Sequence, residues 1–222
     1  MLIMHYTGME SGEAALDWLC REESGVSCHY LVFEDGEIVQ MVPEKQRAWH
    51  AGESFWRGER DINSCSIGIE IVNLGHEFGL CEFPDAQISA VMALSLDIIE
   101  RNKIRPESVL AHSDIAPGRK TDPGELFPWA RLHEVGIGHY IEPEPVGGGR
   151  FFQLGDDGAP IEALQSMLAL YGYGIEIAGV YDEKTRDVVA AFQRHFRAIK
   201  VDGVADVSTI TTLHKLSAAL TG

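Results

Sequence analysis

The chain has 222 residues, room for one large domain or two unequal ones, and 45% of them are apolar, enough for an ordinary core. A formal charge of −16 argues against binding to nucleic-acid phosphates and against a basic membrane-surface patch. No apolar run approaches the length of a transmembrane helix.

Leu2 to Thr7 reads as a short buried strand with a polar tip, broken by Gly8. Taken alone, His5 is an ordinary histidine at a strand end. Residues 11–22 suit a helix capped by Ser11, with Ala15, Leu16 and Leu19 on one face. Gly25 ends it. His29–Glu34 and Glu37–Val42 flank Asp35-Gly36, a hairpin signal, and Pro43 closes the second strand. Arg47 to Gly52 forms a loop, with Phe55 and Trp56 just beyond. Such aromatics either line a binding cleft or, in the case of Trp49, pin the loop to the core; the pattern leaves both open.

Ser66 to Asn73 is a β-branched strand with one acid in its middle. Alternation puts Ile67, Ile69 and Ile71 on one face and Gly68, Glu70 and Val72 on the other. A carboxylate in so apolar a strand is costly unless paired or placed in a wet cleft, so Glu70 is the candidate general acid/base. Residues 84–102 suit a helix with Pro84 in its first turn and Ile88, Val91, Leu94 and Ile98 along one side. Val109–Ala111 is a short strand that delivers His112. Residues 111–124 then place an imidazole, a cation and a carboxylate among Pro and Gly turn formers, which cannot continue as helix or strand. His112 and Asp122 are suitable zinc ligands, and Lys120 lies two residues before Asp122. A catalytic zinc usually takes three protein ligands and keeps one open position; the start of the chain is the best source of the third. Glu125 to Arg131 suits a brief helix.

Residues 139–150, with Glu142-Pro143-Glu144-Pro145 and three glycines, read as a linker. Beyond it the pattern is helical. Ile161, Leu164 and Leu168 share a face, as do Val189, Phe192 and Phe196, and Ile210 and Leu213. Gly179-Val180-Tyr181-Asp182-Glu183-Lys184-Thr185 repeats as Gly203-Val204-Ala205-Asp206-Val207-Ser208-Thr209, and in each copy the Asp is placed to cap a helix. This module has no catalytic cluster. It is expected to contribute attachment only, so that removing residues 146–222 leaves cleavage of a soluble substrate nearly unchanged.

The segments His5-Tyr6-Thr7, Ser27-Cys28-His29-Tyr30, Arg47-Ala48-Trp49-His50-Ala51-Gly52, Ser66-Ile67-Gly68-Ile69-Glu70 and the run from His112 to Gly124 together resemble zinc-dependent N-acetylmuramoyl-L-alanine amidases. That group includes bacterial muropeptide-recycling and envelope amidases and is related to animal peptidoglycan recognition proteins. The resemblance covers nearly all of residues 1–135, and residues 152–216 are similar to a peptidoglycan-binding module often fused to such enzymes. It implies one zinc held by His5, His112 and Asp122, with Glu70 and Lys120 in catalysis. It places His29 in a structural role and His50 in the cleft. Trp49, His50 and Arg119 are expected to touch substrate. The implied reaction is hydrolysis of the amide between N-acetylmuramic acid, or its 1,6-anhydro form, and L-alanine of the stem peptide. The rival reading is a noncatalytic muropeptide-binding recognition protein, a class that typically lacks the full ligand set.

The expected architecture is an α/β catalytic domain over residues 1–138, with a mixed central β-sheet flanked by helices. A linker over 139–150 and an all-α three-helix peptidoglycan-binding module over 151–222 follow. The expected partner is peptidoglycan or a muropeptide, with no nucleic acid, no membrane-spanning segment, and a monomeric chain. Cys20, Cys28, Cys65 and Cys81 show no close paired spacing, and no export signal opens the chain. Both point to the cytoplasm; an upstream segment would instead point to the periplasm or cell envelope.

Overall fold

The computed structural model describes residues 1–220. Its strands are β1 (Leu2–Tyr6), β2 (Tyr30–Val32), β3 (Ile38–Gln40), β4 (Ile67–Ile71) and β5 (Val109–Ala111). They form one mixed sheet in the order β3-β2-β4-β1-β5. β1 runs parallel to β4 and β5, β2 runs parallel to β4, and β3 turns back antiparallel on β2. The helices are α1 (Gly12–Leu19), α2 (Ile62–Cys65), α3 (Gly75–Phe78), α4 (Asp85–Asn102), α5 (His112–Ile115), α6 (Trp129–Glu134), α7 (Ala159–Tyr171), α8 (Glu183–Phe196) and α9 (Val207–Ala219).

Period-two alternation divides the sheet into two faces. Leu2, Met4, Ile67, Ile69 and Ile71 pack with Ile88, Val91 and Ile98 of α4 in one core. On the other face Ile3 and Leu110 join a second core built with α7, α8 and α9. Ser11 caps α1, its hydroxyl accepting the Ala14 N–H. Pro84 stands at the N-cap of α4, one residue ahead of the first turn where the sequence placed it.

Two local expectations are corrected. α6 starts at Trp129 instead of Glu125. Pro128 disfavours helical dihedrals at Phe127, so the helix forms only after the proline. Residues 112–115, expected to be irregular, make one helical turn. The Asp114 carboxylate accepts the Ala111 N–H at 2.8 Å, half of a capping box, and this stabilises the turn before Pro117 stops it.

Among the C-terminal helices the repeat is structural. Asp182 accepts from Thr185 N–H and Asp206 from Thr209 N–H, so each caps its helix. Gln165 and Gln193 complete the two copies. Each amide oxygen accepts two backbone N–H groups, and each amide nitrogen donates to a valine carbonyl and a threonine hydroxyl.

The expected linker is irregular but anchored. Residues 139–148 carry no helix or strand, but Glu144 is held by Thr212, Ser208 and Lys215 of α9. Trp56 is buried in the second core, edge-on to Tyr171 and Tyr173. Truncating so buried a ring typically costs about 3–5 kcal/mol. The helices therefore dock on the sheet region through apolar packing. Residues 221 and 222 of the expected module lie outside the described residues.

Candidate active site

The parallel strands bring the chemistry together at their carboxyl ends, where open α/β sheets form ligand crevices. His5 on β1 is in register with Glu70 on β4. Met4 pairs with Ala111, so the next step along β1 and β5 sets His112 beside His5. Asp122 returns to the same point, with its carbonyl accepting the Ser113 N–H.

His5 Nδ1, His112 Nδ1 and Asp122 Oδ2 form a buried triangle with sides of 2.9, 3.0 and 2.9 Å. The surrounding hydrogen bonds fix both tautomers. His112 Nε2–H donates to the Ala51 carbonyl at 3.1 Å, which leaves Nδ1 bare. The Ser66 hydroxyl donates to the Ile62 carbonyl, so its oxygen accepts His50 Nε2–H at 3.2 Å. His50 Nδ1 then accepts His5 Nε2–H at 2.9 Å, leaving His5 Nδ1 bare as well. Two lone pairs and a carboxylate thus face one another with no proton among them. A cation satisfies that set, and zinc–nitrogen and zinc–oxygen bonds of about 2.0–2.2 Å fit a triangle of this size. The donor chemistry therefore suits zinc.

The electrostatics agree. Burial, helped by neighbouring His112, pushes His5 down to about 4, which keeps it neutral. Burial would raise Asp122, but His112 and His5 outweigh it and hold the carboxyl well below the usual range. Burial, then the Asp122 charge, pushes Glu70 well above its ordinary value, with Lys120 opposing. Glu70 Oε2 is buried without a hydrogen-bond partner among the described residues. A cation at the triangle would favour its ionised form.

A cleft of about 510 Å³ opens over this point. Glu70, His112, Lys120 and Asp122 contribute to its lining, as do Trp18, Trp49, His50, His76 and Phe78. Trp49 is 56% exposed and lines the cleft rather than pinning the loop to the core. The loop is pinned instead by Asn63, whose side-chain oxygen accepts both His50 and Ala51 N–H. His50 can sit against β4 only because residue 68 is glycine; a Cβ there would lie 2.5 Å from the imidazole. His29 is tied to Gly68 N–H and the Gln46 carbonyl, outside the triangle.

Arg119 is placed beside the cleft and not in its lining, with one guanidinium nitrogen 3.4 Å from His112 Nε2. Its guanidinium donates to the Ala51 and Glu53 carbonyls and packs against Gly52. Those carbonyls turn it away from the cleft and make it a brace for the 51–53 loop. Phe55 and Trp56 likewise face the C-terminal helices. Sequence reasoning missed Asn63, Ser66 and the Tyr6–His76–Thr121 group at the opposite lip. Only a pairing of distant polar residues could have signalled them.

A family model described as N-acetylmuramoyl-L-alanine amidase matches residues 1–125, and one described as a putative peptidoglycan binding domain matches residues 157–213. The chain is 40% identical to N-acetylmuramoyl-L-alanine amidase AmiD of Escherichia coli K12, over 94% of this chain and 79% of that protein. The structure of E. coli AmiD with the substrate anhydro-N-acetylmuramic acid-L-Ala-D-gamma-Glu-L-Lys superimposes with a TM-score of 0.84 at 38% identity, covering 99% of this chain and 88% of that one. AmpDh3 of Pseudomonas aeruginosa in complex with anhydromuramic pentapeptide gives 0.82 at 31% identity, covering 99% and 91%.

Proposed function

The chain belongs to the N-acetylmuramoyl-L-alanine amidase family and hydrolyses the amide between N-acetylmuramic acid and L-alanine, and from that premise we propose that it does so with one zinc held by His5, His112 and Asp122. The observation that carries this reading is the buried triangle of bare donors. Zinc, when bound there, acidifies water and polarises the scissile carbonyl.

The chain's own groups do the rest. Glu70 takes the proton of the attacking water and passes it to the departing L-alanine nitrogen. Its place on β4, in register with His5 at the cleft, suits both halves of that transfer. Lys120 neutralises the developing oxyanion, a role in which one donor is typically worth roughly 3–4 kcal/mol. Trp49 and His50 on the cleft wall support contacts to the sugar and peptide. Residues 1–138 form the catalytic domain and residues 151–222 a peptidoglycan-binding domain, joined through 139–150. The four unpaired cysteines favour a reducing compartment such as the cytoplasm, and no helix among the described residues is long and apolar enough to cross a membrane.

The test is mass spectrometry of products from a soluble anhydro-muropeptide and from intact sacculi, with and without a chelator. Free stem peptide should appear, vanish with chelator and return with zinc. Release unaffected by complete metal removal would contradict the zinc mechanism.

A further inference from the structure

His112 sits on α5, and the same turn carries Asp114 on its other side. Asp114 is fully buried and accepts three hydrogen bonds. One comes from its own turn, the Ala111 N–H at 2.8 Å. The other two come from the C-terminal helices. His195 near the end of α8 donates from Nδ1 to Oδ2 at 2.6 Å. Tyr173, just past α7, donates its hydroxyl to Oδ1 at 2.7 Å. The His195 ring is clamped between Trp129 and Phe196, each with a centroid at 3.8 Å. It therefore holds one orientation.

α8 supports the turn at two further levels. Ile115 and Ala116 share a core cluster with Val188, Val189 and Phe192. Asp187 packs against Gly118, whose φ of +78° favours glycine. The polypeptide on either side of His112 is thus fixed by residues some 60 to 80 positions later in sequence.

We propose that the C-terminal helices position the metal ligand His112, with His195 and Tyr173 acting as positioning residues through Asp114. This rests on the reading of His112 as a zinc ligand. Without its two distant donors the buried Asp114 carboxylate cannot stay in place. Its cap on Ala111 is then released, and His112 Nδ1 loses its aim at His5 and Asp122. Outer partners that orient metal ligands typically change metal affinity or activity by roughly 10–100-fold. The module built for attachment would then also be a working part of the catalytic centre.

The experiment uses the full chain, stripped of metal, in four forms: parent, Tyr173→Phe, His195→Leu and His195→Asn. Zinc affinity is measured by competition with a chromophoric chelator, and the visible bands of the cobalt-loaded protein report ligand geometry. Tyr173→Phe and His195→Leu should bind zinc roughly tenfold or more weakly, shift the cobalt bands, and lower kcat on a soluble muropeptide with little change in KM. His195→Asn, whose amide nitrogen can donate from near the Nδ1 position, should recover most of the affinity. Should His195→Leu fail to fold, Tyr173→Phe, which loses a single hydroxyl, decides the matter alone. Parental affinity and parental cobalt bands in Tyr173→Phe would overturn the proposal. Failure of the parent itself to bind zinc would overturn the metal reading beneath it, and this proposal too.

Discussion

Two buried polar clusters lie on opposite sides of one short turn. On the cleft side, His5, His112 and Asp122 converge as acceptors with no donor among them, and Glu70 Oε2 has no partner among the described residues. On the other side, Asp114 meets three donors for its two oxygens. The residues of both clusters are buried, so burial alone does not distinguish them. Matching does. A buried polar group costs free energy unless it is satisfied; the Asp114 carboxylate has its donors within the fold, whereas the cleft set is one that a cation and a substrate can complete. The satisfied cluster stabilises the turn, and the unsatisfied one is poised for chemistry.

The largest break in that contrast comes from removing a ligand. His112→Ala should lose stoichiometric zinc and amidase activity together, read by elemental analysis and peptide release. Retained metal with parental turnover would mean that the triangle is not the site. Next come the groups that act without holding metal. Glu70→Gln and Lys120→Met should keep zinc while kcat falls roughly a hundredfold or more. A Glu70→Gln enzyme that cleaves at the parental rate would move the proton acceptor elsewhere, with His50 the first group to test.

Removing residues 146–222 attacks the satisfied cluster. The docked core changes the outcome expected from sequence: the truncation exposes Trp56 and strips both distant donors from Asp114. Cleavage of soluble muropeptide and of sacculi should both fall, by roughly tenfold or more, with a lower Tm. An unchanged rate on the soluble substrate would restore the simple tether.

The smallest effect sharpens the contrast from outside both clusters. Burial would raise Glu44, but hydrogen bonds from Arg101, Tyr30 and Asn102 outweigh it and bring the carboxyl down to about 2. Its folded value lies below the unfolded one of about 4.3. The stabilisation is therefore present above the unfolded value and is lost as pH falls toward 2. Arg101 is partly exposed, so Glu44→Gln should remove only about 0.5–1 kcal/mol at neutral pH. It should also flatten the acid limb of a denaturation series; an acid limb identical to the parent's would remove Glu44 from the account.

Of the cleft cluster, Glu70, His112 and Asp122 stood out in the residues themselves, whereas His5 was singled out through the resemblance. β1 runs two residues past the end of β5 in register, which sets His112 beside His5, and an acid in the apolar strand β4 is too costly to keep unless a cleft or a partner receives it. The hairpin and the capped repeat were legible for the same local reasons. Asp114–His195 was not, since the partners are 81 residues apart and neither breaks a local pattern. The partners of Arg119, backbone carbonyls of Ala51 and Glu53, were not legible because sequence does not mark them. The α5 turn hid behind Pro and Gly, and its stabilising cap depends on where the Asp114 side chain points.

The central claim is that one zinc sits at the meeting point of β1, α5 and the loop that carries Asp122. Anomalous scattering measured on both sides of the zinc absorption edge, from crystals of the active protein, tests it most directly. The account predicts a single strong site bonded to His5 Nδ1, His112 Nδ1 and the Asp122 carboxylate. A zinc site on His29 or His50 in place of His5, or no zinc in crystals of protein that still releases stem peptide, would contradict it.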